Sequence, residues 1–385
     1  MKRAAFLALL GLAGVVGLAL VALAAAGWWS IGPLAGAGVL VFGSYGPWVL
    51  PISAAVLGIG LLGRRFGRTV LGWFVAALAT VSLLAGLVVV TPQVVLALSE
   101  GSAIGPANAL GIETGPPAEP DRVEVYATPD GTELRAGIWL PPREALDPGA
   151  AVLWVHGGRF VGGGFGDDAR RLRRIADAGY PAISIDYRLS PPPRWRDANG
   201  DVACALGWLR GRGKEFGIDP DKIVLGGASA GGTLALNVAY GLGLPEDEGG
   251  VTSSCGDRPK PPAAVLAVSP PVDLTRPSPS GEFRYRDFLG GGPDEAAEAY
   301  AYASPSTKIR RGLPRTLIVQ GDADRLVDPA VSSAFAEQVR RARNEVRYVS
   351  YPFGGHAFDR PATLGEALTE RAIMRWLQQW FPVPY

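Results

Sequence analysis

Three long stretches without a charged residue, 4–27, 33–63 and 69–99, set the strongest limit on how this 385-residue chain can fold. Each is long enough to cross about 30 Å of hydrocarbon as a helix, whose backbone groups are satisfied internally. One such run fits a buried helix of a soluble protein; three in succession, with almost no polar face, do not. Pro47 and Pro51 predict a kinked or shortened span in the second run. Lys2 and Arg3 precede the first run, and Ala24-Ala25-Ala26 resembles a cleavage site. The stretch nevertheless exceeds what a signal peptide needs, and two more follow, so an uncleaved anchor is expected.

Basic residues give the expected orientation. Lys2 and Arg3 flank the first span, Arg64, Arg65 and Arg68 lie between the second and third, and the connection at 28–32 carries no charge. The N-terminus and second connection therefore read as cytoplasmic, and everything after about Ser99 as extracytoplasmic in a multi-pass protein of the cell membrane. Trp28, Trp29 and Trp48 suit an aromatic belt at the outer interface. A net charge of +1 gives no electrostatic case for a nucleic-acid partner. The bilayer is the expected partner, and nothing in the sequence specifies an oligomeric state. On the outer face Cys204 and Cys255 are free to form a disulfide, and from sequence one disulfide and two free thiols are equally admissible.

The organisation reads as a membrane region at 1–99, a Gly/Pro/Ala-rich linker at 100–120 and a folded domain at 121–385. Residues 123–126 and 133–140 alternate as a hairpin around Thr128-Pro129-Asp130-Gly131-Thr132. Short apolar strands at 151–155, 182–186, 223–225, 263–268, 316–319 and 346–351 then alternate with helices at 168–178, 201–216, 294–302, 330–341 and 363–380. This is the pattern of an α/β fold with a mostly parallel central sheet flanked by helices. In such sheets ligands collect beyond the carboxyl ends of the strands.

Gly226-Gly227-Ala228-Ser229-Ala230-Gly231-Gly232 follows one of those strands and precedes a helical run. Strand, G-x-S-x-G and helix make the context of a nucleophile elbow, in which small neighbours let a strained serine project from a sharp turn. The chain has only two histidines, His156 and His356. His356 lies in a glycine-containing loop after the last strand, where an imidazole is suited to take up and return a proton. An orienting carboxylate is expected in Gly321-Asp322-Ala323-Asp324-Arg325-Leu326-Val327-Asp328, and spacing alone leaves Asp322, Asp324 and Asp328 as candidates. His156-Gly157-Gly158-Arg159-Phe160 offers the backbone N–H groups of Gly157 and Gly158 to a developing oxyanion, with that of Ala230 as a further donor. His156 reads as a structural holder of this loop. No phosphate-binding G-x-x-x-x-G-K-[ST] motif is present. The order serine, acid, histidine is that of α/β-hydrolases.

From about Arg122 onward the chain resembles α/β-hydrolases of the esterase/lipase group, near the hormone-sensitive-lipase-like and feruloyl-esterase-like carboxylesterases. The resemblance rests on His156-Gly157-Gly158-Arg159-Phe160, Asp186-Tyr187-Arg188-Leu189-Ser190-Pro191, Gly227-Ala228-Ser229-Ala230-Gly231-Gly232, Ser304-Pro305-Ser306, Gly321-Asp322-Ala323-Asp324 and Gly355-His356-Ala357-Phe358. It implies that Asp324 is the triad acid and that a small-molecule or lipid ester is cleaved through an acyl-enzyme, with neither metal nor cofactor. Arg159 stands where a third glycine is common and is expected to narrow or charge the loop; Ala228 stands where one subgroup carries an acid. Tyr285, Phe288 and Leu289 are candidates for a segment covering the substrate. The same residues would serve a serine peptidase or an acyltransferase on envelope lipids or glycans, and an inactive membrane-anchored binding protein is the reading of a different class.

Overall fold

The computed structural model describes residues 2–65, 68–101, 118–142, 149–276, 278 and 285–383. The chain divides into two compact units. The smaller comprises Met1–Thr114 with two later pieces, Gly321–Arg325 and Ser350–Arg371; the larger comprises Gly115–Gln320, Leu326–Val349 and Ala372–Tyr385. Most of the expected linker, 102–117, lies outside the described residues.

In the smaller unit the first apolar run forms α1 (Lys2–Trp28). The second run is divided: α2 (Leu34–Val39) continues into a π-helical turn, Leu40–Ser44, and α3 (Gly46–Arg65) begins after Tyr45. Pro47 stands in the first turn of α3, where its missing N–H costs nothing, and Pro51 lies inside the helix. The third run forms α4 (Thr69–Ser99). Helices α1, α3 and α4 are each long and apolar enough to cross a membrane. Small residues bring α3 and α4 together: a Cβ at Gly60 would lie 2.7 Å from the Ala76 nitrogen. The buried hydroxyls of Ser53 and Ser82 hydrogen-bond to each other at 3.0 Å.

The sheet has eight strands in the order β1-β2-β4-β3-β5-β6-β7-β8. They are β1 (Arg122–Ala127), β2 (Leu134–Trp139), β3 (Gly149–Val155), β4 (Ala182–Ile185), β5 (Ile218–Ala228), β6 (Ala264–Val268), β7 (Arg315–Gly321) and β8 (Val346–Tyr351). The β1–β2 hairpin and the β2–β4 pair are antiparallel; β4–β3, β3–β5, β5–β6 and β6–β7 are parallel. Between the strands run α5 (Ala169–Asp177), α6 (Trp195–Gly211), α7 (Gly213–Phe216), α8 (Ala230–Gly241), α9 (Arg286–Leu289), α10 (Ala297–Ala303) and α11 (Pro329–Arg341), and α12 (Leu364–Trp380) follows β8. Helix α6 starts six residues before the position expected from sequence, and the expected single helix breaks at Arg212 into α6 and α7.

Strands β3, β4 and β6 are buried almost throughout, as continuous Val/Ile/Leu/Ala runs require. Side chains from β3, β4, β5 and β6 and from α6 and α8 join one core cluster that includes Leu153, Ile183, Leu206, Leu225 and Leu234. Each such aliphatic side chain contributes roughly 1.5–3 kcal/mol on burial. Cys204, buried on α6, forms a disulfide with Cys255, which resolves the alternative left open by the sequence.

Candidate active site

Ser229 follows β5 and stands at the N-cap position of α8 with φ 52° and ψ −119°, a conformation that a non-glycine residue adopts only under restraint. The restraint is steric. A Cβ at Gly231 would lie 2.0 Å from the Val155 carbonyl oxygen, and one at Gly227 would lie 2.4 Å from the Gly231 carbonyl carbon. Only glycine at both positions lets the start of α8 pass over the end of β3. The Ser229 N–H donates to the Val268 carbonyl at 2.8 Å, which fixes the turn to β6. Ala230 is the first residue of α8, so its N–H has no acceptor within the helix.

The glycine loop after β3 meets this turn. A Cβ at Gly157 would sit 3.5 Å from the Ser229 Cβ. Gly158, Arg159 and Phe160 follow with φ of 107°, 59° and 65°. Arg159 therefore occupies a left-handed position, which is the steric reason a glycine suits it, and its side chain is exposed. His156 is buried; its Nδ1 donates to the Gly157 carbonyl at 2.7 Å and its ring stacks on Tyr187 with centroids 4.5 Å apart. Burial draws this imidazole below its ordinary range, as befits a neutral structural residue.

Phe160 carries the loop into the core. Its ring stacks on Phe288 at 3.9 Å, with Tyr285 edge-on at 6.4 Å. Tyr285, Phe288 and Leu289 are all buried and belong to the same core cluster as Phe160. The stretch just before them, 279–284, lies outside the described residues.

The acid and the second histidine belong to the smaller unit. Asp324 Oδ2 accepts a hydrogen bond from His356 Nδ1 at 2.8 Å, with the Asp324 side chain fully buried. That bond leaves Nε2 as the histidine's proton-accepting nitrogen. Burial pulls the His356 imidazole down, but the hydrogen bond and charge of Asp324, helped by Asp359 and opposed by Arg360, bring it above its ordinary value. The other two acids have other tasks. Asp322 Oδ1 accepts the Phe353 N–H, and burial raises its carboxyl above the usual range against that bond. Asp328 caps α11 by accepting the Ala330 N–H at 2.9 Å.

One supporting pair is not singled out by the sequence reading. Arg188 is buried and grips the fully buried Asp201 carboxylate through Nη2 at 2.8 Å and Nε at 2.9 Å. It holds the loop after β4, whose Ser190 N–H donates to the Phe160 carbonyl at 2.9 Å. The available signal was an aspartate on a helix otherwise buried among alanines and leucines, where a charge needs a partner.

Sheet order, the strand–turn–helix at Ser229 and the glycine loop define an α/β-hydrolase fold. The BD-FAE family profile matches residues 137–339, more than half of the chain, and the chain belongs to that family. Among its relatives, esterase LipC of Mycobacterium tuberculosis is 32% identical over 245 residues, covering 60% of this chain and 57% of LipC. The probable carboxylic ester hydrolase LipM of the same organism is 30% identical over 250 residues, covering 63% and 57%. The aligned region thus spans less than two thirds of either relative. Among solved structures, butyrate-bound Thermogutta terrifontis esterase 2 superposes with a TM-score of 0.58 at 26% identity, over 69% of this chain and 95% of that one.

Proposed function

We propose that this protein is a membrane-anchored serine carboxylic-ester hydrolase. Ser229 Oγ attacks the ester carbonyl while His356 Nε2 takes its proton, and Asp324 steadies the imidazolium through Nδ1–H. The N–H groups of Gly157, Gly158 and Ala230 stabilise the tetrahedral oxyanion. His356 then protonates the departing alcohol. Water repeats the cycle on the acyl-enzyme and releases the acid. The observation that carries the reading is the left-handed Ser229, wedged between two glycines against the Gly157 loop. A serine serving only as a helix cap has no need of that strain. The named esterase relatives support ester chemistry for such a site.

Anchoring rests on α1, α3 and α4, whose outward faces expose apolar side chains such as Leu12, Val15, Val70 and Leu84. With Arg64, Arg65 and Arg68 on the cytoplasmic side, an odd number of spans leads the chain after Ser99 to the extracytoplasmic side. The Cys204–Cys255 disulfide suits that compartment.

The test is hydrolysis of p-nitrophenyl esters from acetate to palmitate and of aromatic acyl esters, beside matched amides, by the full chain and by Ser229→Ala. Ester turnover that depends on Ser229, with the amides inert, is expected. Turnover retained in Ser229→Ala, or amide cleavage at the ester rate, would refute the assignment. Protease added to intact cells should cut within 121–385; complete protection would refute the outward orientation.

A further inference from the structure

We propose that Gln93 of α4 is a positioning residue for the general base, so that the apolar helices take part in catalysis as well as anchoring. The inference rests on His356 being that base. Gln93 is completely buried in a helix that carries no charged residue. A primary amide in such surroundings is costly unless its hydrogens find acceptors. Its Nε2 donates to the Gly43 carbonyl at 2.8 Å and to the Pro352 carbonyl at 2.9 Å. Two carbonyl oxygens fix which way the amide faces, because the flipped amide would turn its own oxygen toward them. Gln93 thus ties the turn before α3 to the loop that carries His356, four residues beyond Pro352.

Three further contacts act on the same loop. Gly43, in the π-helical turn, lies so close that a Cβ there would be 2.0 Å from the Phe353 carbonyl oxygen. The Trp28 ring, at the end of α1, meets the Phe353 ring with centroids 5.6 Å apart. A Cβ at Gly355 would lie 3.0 Å from Val39 Cγ1. Phe353 itself has φ 56°, a left-handed strain that persists only where its surroundings impose it. The acid turn holds the loop too, through Asp322 to the Phe353 N–H and the Ala323 N–H to the Gly354 carbonyl. Trp28 ends α1, Val39 ends α2, Gly43 lies in the turn before α3 and Gln93 lies toward the C-terminal end of α4, whereas Arg64 and Arg65 end α3 just before α4 begins. From Thr69 to Gln93, α4 rises about 36 Å, a little more than a hydrocarbon core, which puts Gln93 at the outer interface.

The test uses the full chain in membranes, with kcat and KM for p-nitrophenyl butyrate normalised to folded protein. His356→Ala is measured first: full activity there removes the base assignment itself, and with it this inference. Given a base at His356, Gln93→Met, which keeps the volume and loses both donors, should lower kcat about 10–100-fold with KM nearly unchanged, the scale of a reacting group misplaced by ~1 Å. Placed in the His356→Ala background, Gln93→Met should cost nothing further, because its effect passes through the histidine. Trp28→Leu alters a half-exposed ring and opens no cavity, and should lower kcat by a smaller factor; it decides the matter alone if Gln93→Met does not accumulate. Unchanged kcat in the accumulating variants, or an equal fold-loss from Gln93→Met with and without His356, would overturn the proposal while leaving the triad intact.

Discussion

Around Ser229 the restraints are backbone against backbone: Gly227 against Gly231, Gly231 against Val155, and the Ser229 N–H on Val268. Around His356 backbone contacts also occur, such as the Ala323 N–H to the Gly354 carbonyl, but side chains reach in as well: Asp324 to the imidazole, Asp322 to the Phe353 N–H, Gln93 to the Pro352 carbonyl and Trp28 to the Phe353 ring. The close backbone approaches at the Ser229 turn are steric, and they tolerate no added atom. The side-chain contacts around His356 are assembled from separate parts of the chain and are graded, since each can be lost while the others stay. The nucleophile turn should therefore fail all at once under substitution, and the base loop by degrees.

The largest effect expected on the base side is that of Asp324→Asn. Losing the orienting carboxylate should lower kcat by roughly 10⁴-fold without unfolding the protein. The same variant tests the proton balance. Wild-type activity needs neutral His356, and Asp324 raises its pKa, so the acid limb of kcat/KM against pH should have its midpoint above about 6.5. In Asp324→Asn burial remains and the counter-charge is gone, so the midpoint should drop below that value. A midpoint that does not move would break the pairing.

Gly231→Ala tests the steric side. One methyl group at 2.0 Å from a carbonyl oxygen cannot be absorbed by a flexible side chain, so a loss of stability of about 3 kcal/mol or more is expected in thermal melts. A variant that melts like wild type would show that the elbow is less constrained than its geometry implies. Asp322→Asn comes next. It weakens one of several holds on Phe353 and should cost less than about tenfold in kcat, well short of Asp324→Asn. Asp328→Ala is the smallest case: loss of an N-cap should reduce stability by about 1 kcal/mol and leave kcat unchanged.

The same contrast explains what could be read in advance. The elbow, the glycine loop and the strand–helix alternation are written in contiguous residues, because local sterics and the period-two pattern of strands act over a few positions. The choice among Asp322, Asp324 and Asp328 was not, and only the family resemblance pointed to Asp324. Which carboxylate reaches His356 depends on the packing of two loops 32 residues apart. The hold of Gln93 on Pro352 spans 259 residues of sequence, and no local pattern announces it. The signal that was available is a lone amide within an uncharged apolar run, a residue type that rarely enters such a segment without a partner. The division of the second apolar run at Tyr45 was foreseen only as a kink or shortening near two prolines.

The proposed chemistry requires Ser229 to be an activated nucleophile. Incubating the full-length protein with a fluorophosphonate and mapping the adduct by mass spectrometry tests this directly. The expected result is a single phosphonyl adduct on Ser229, absent from Ser229→Ala and formed far more slowly in His356→Ala. Folded protein without an adduct, or one that labels equally in wild type and Ser229→Ala, would contradict it.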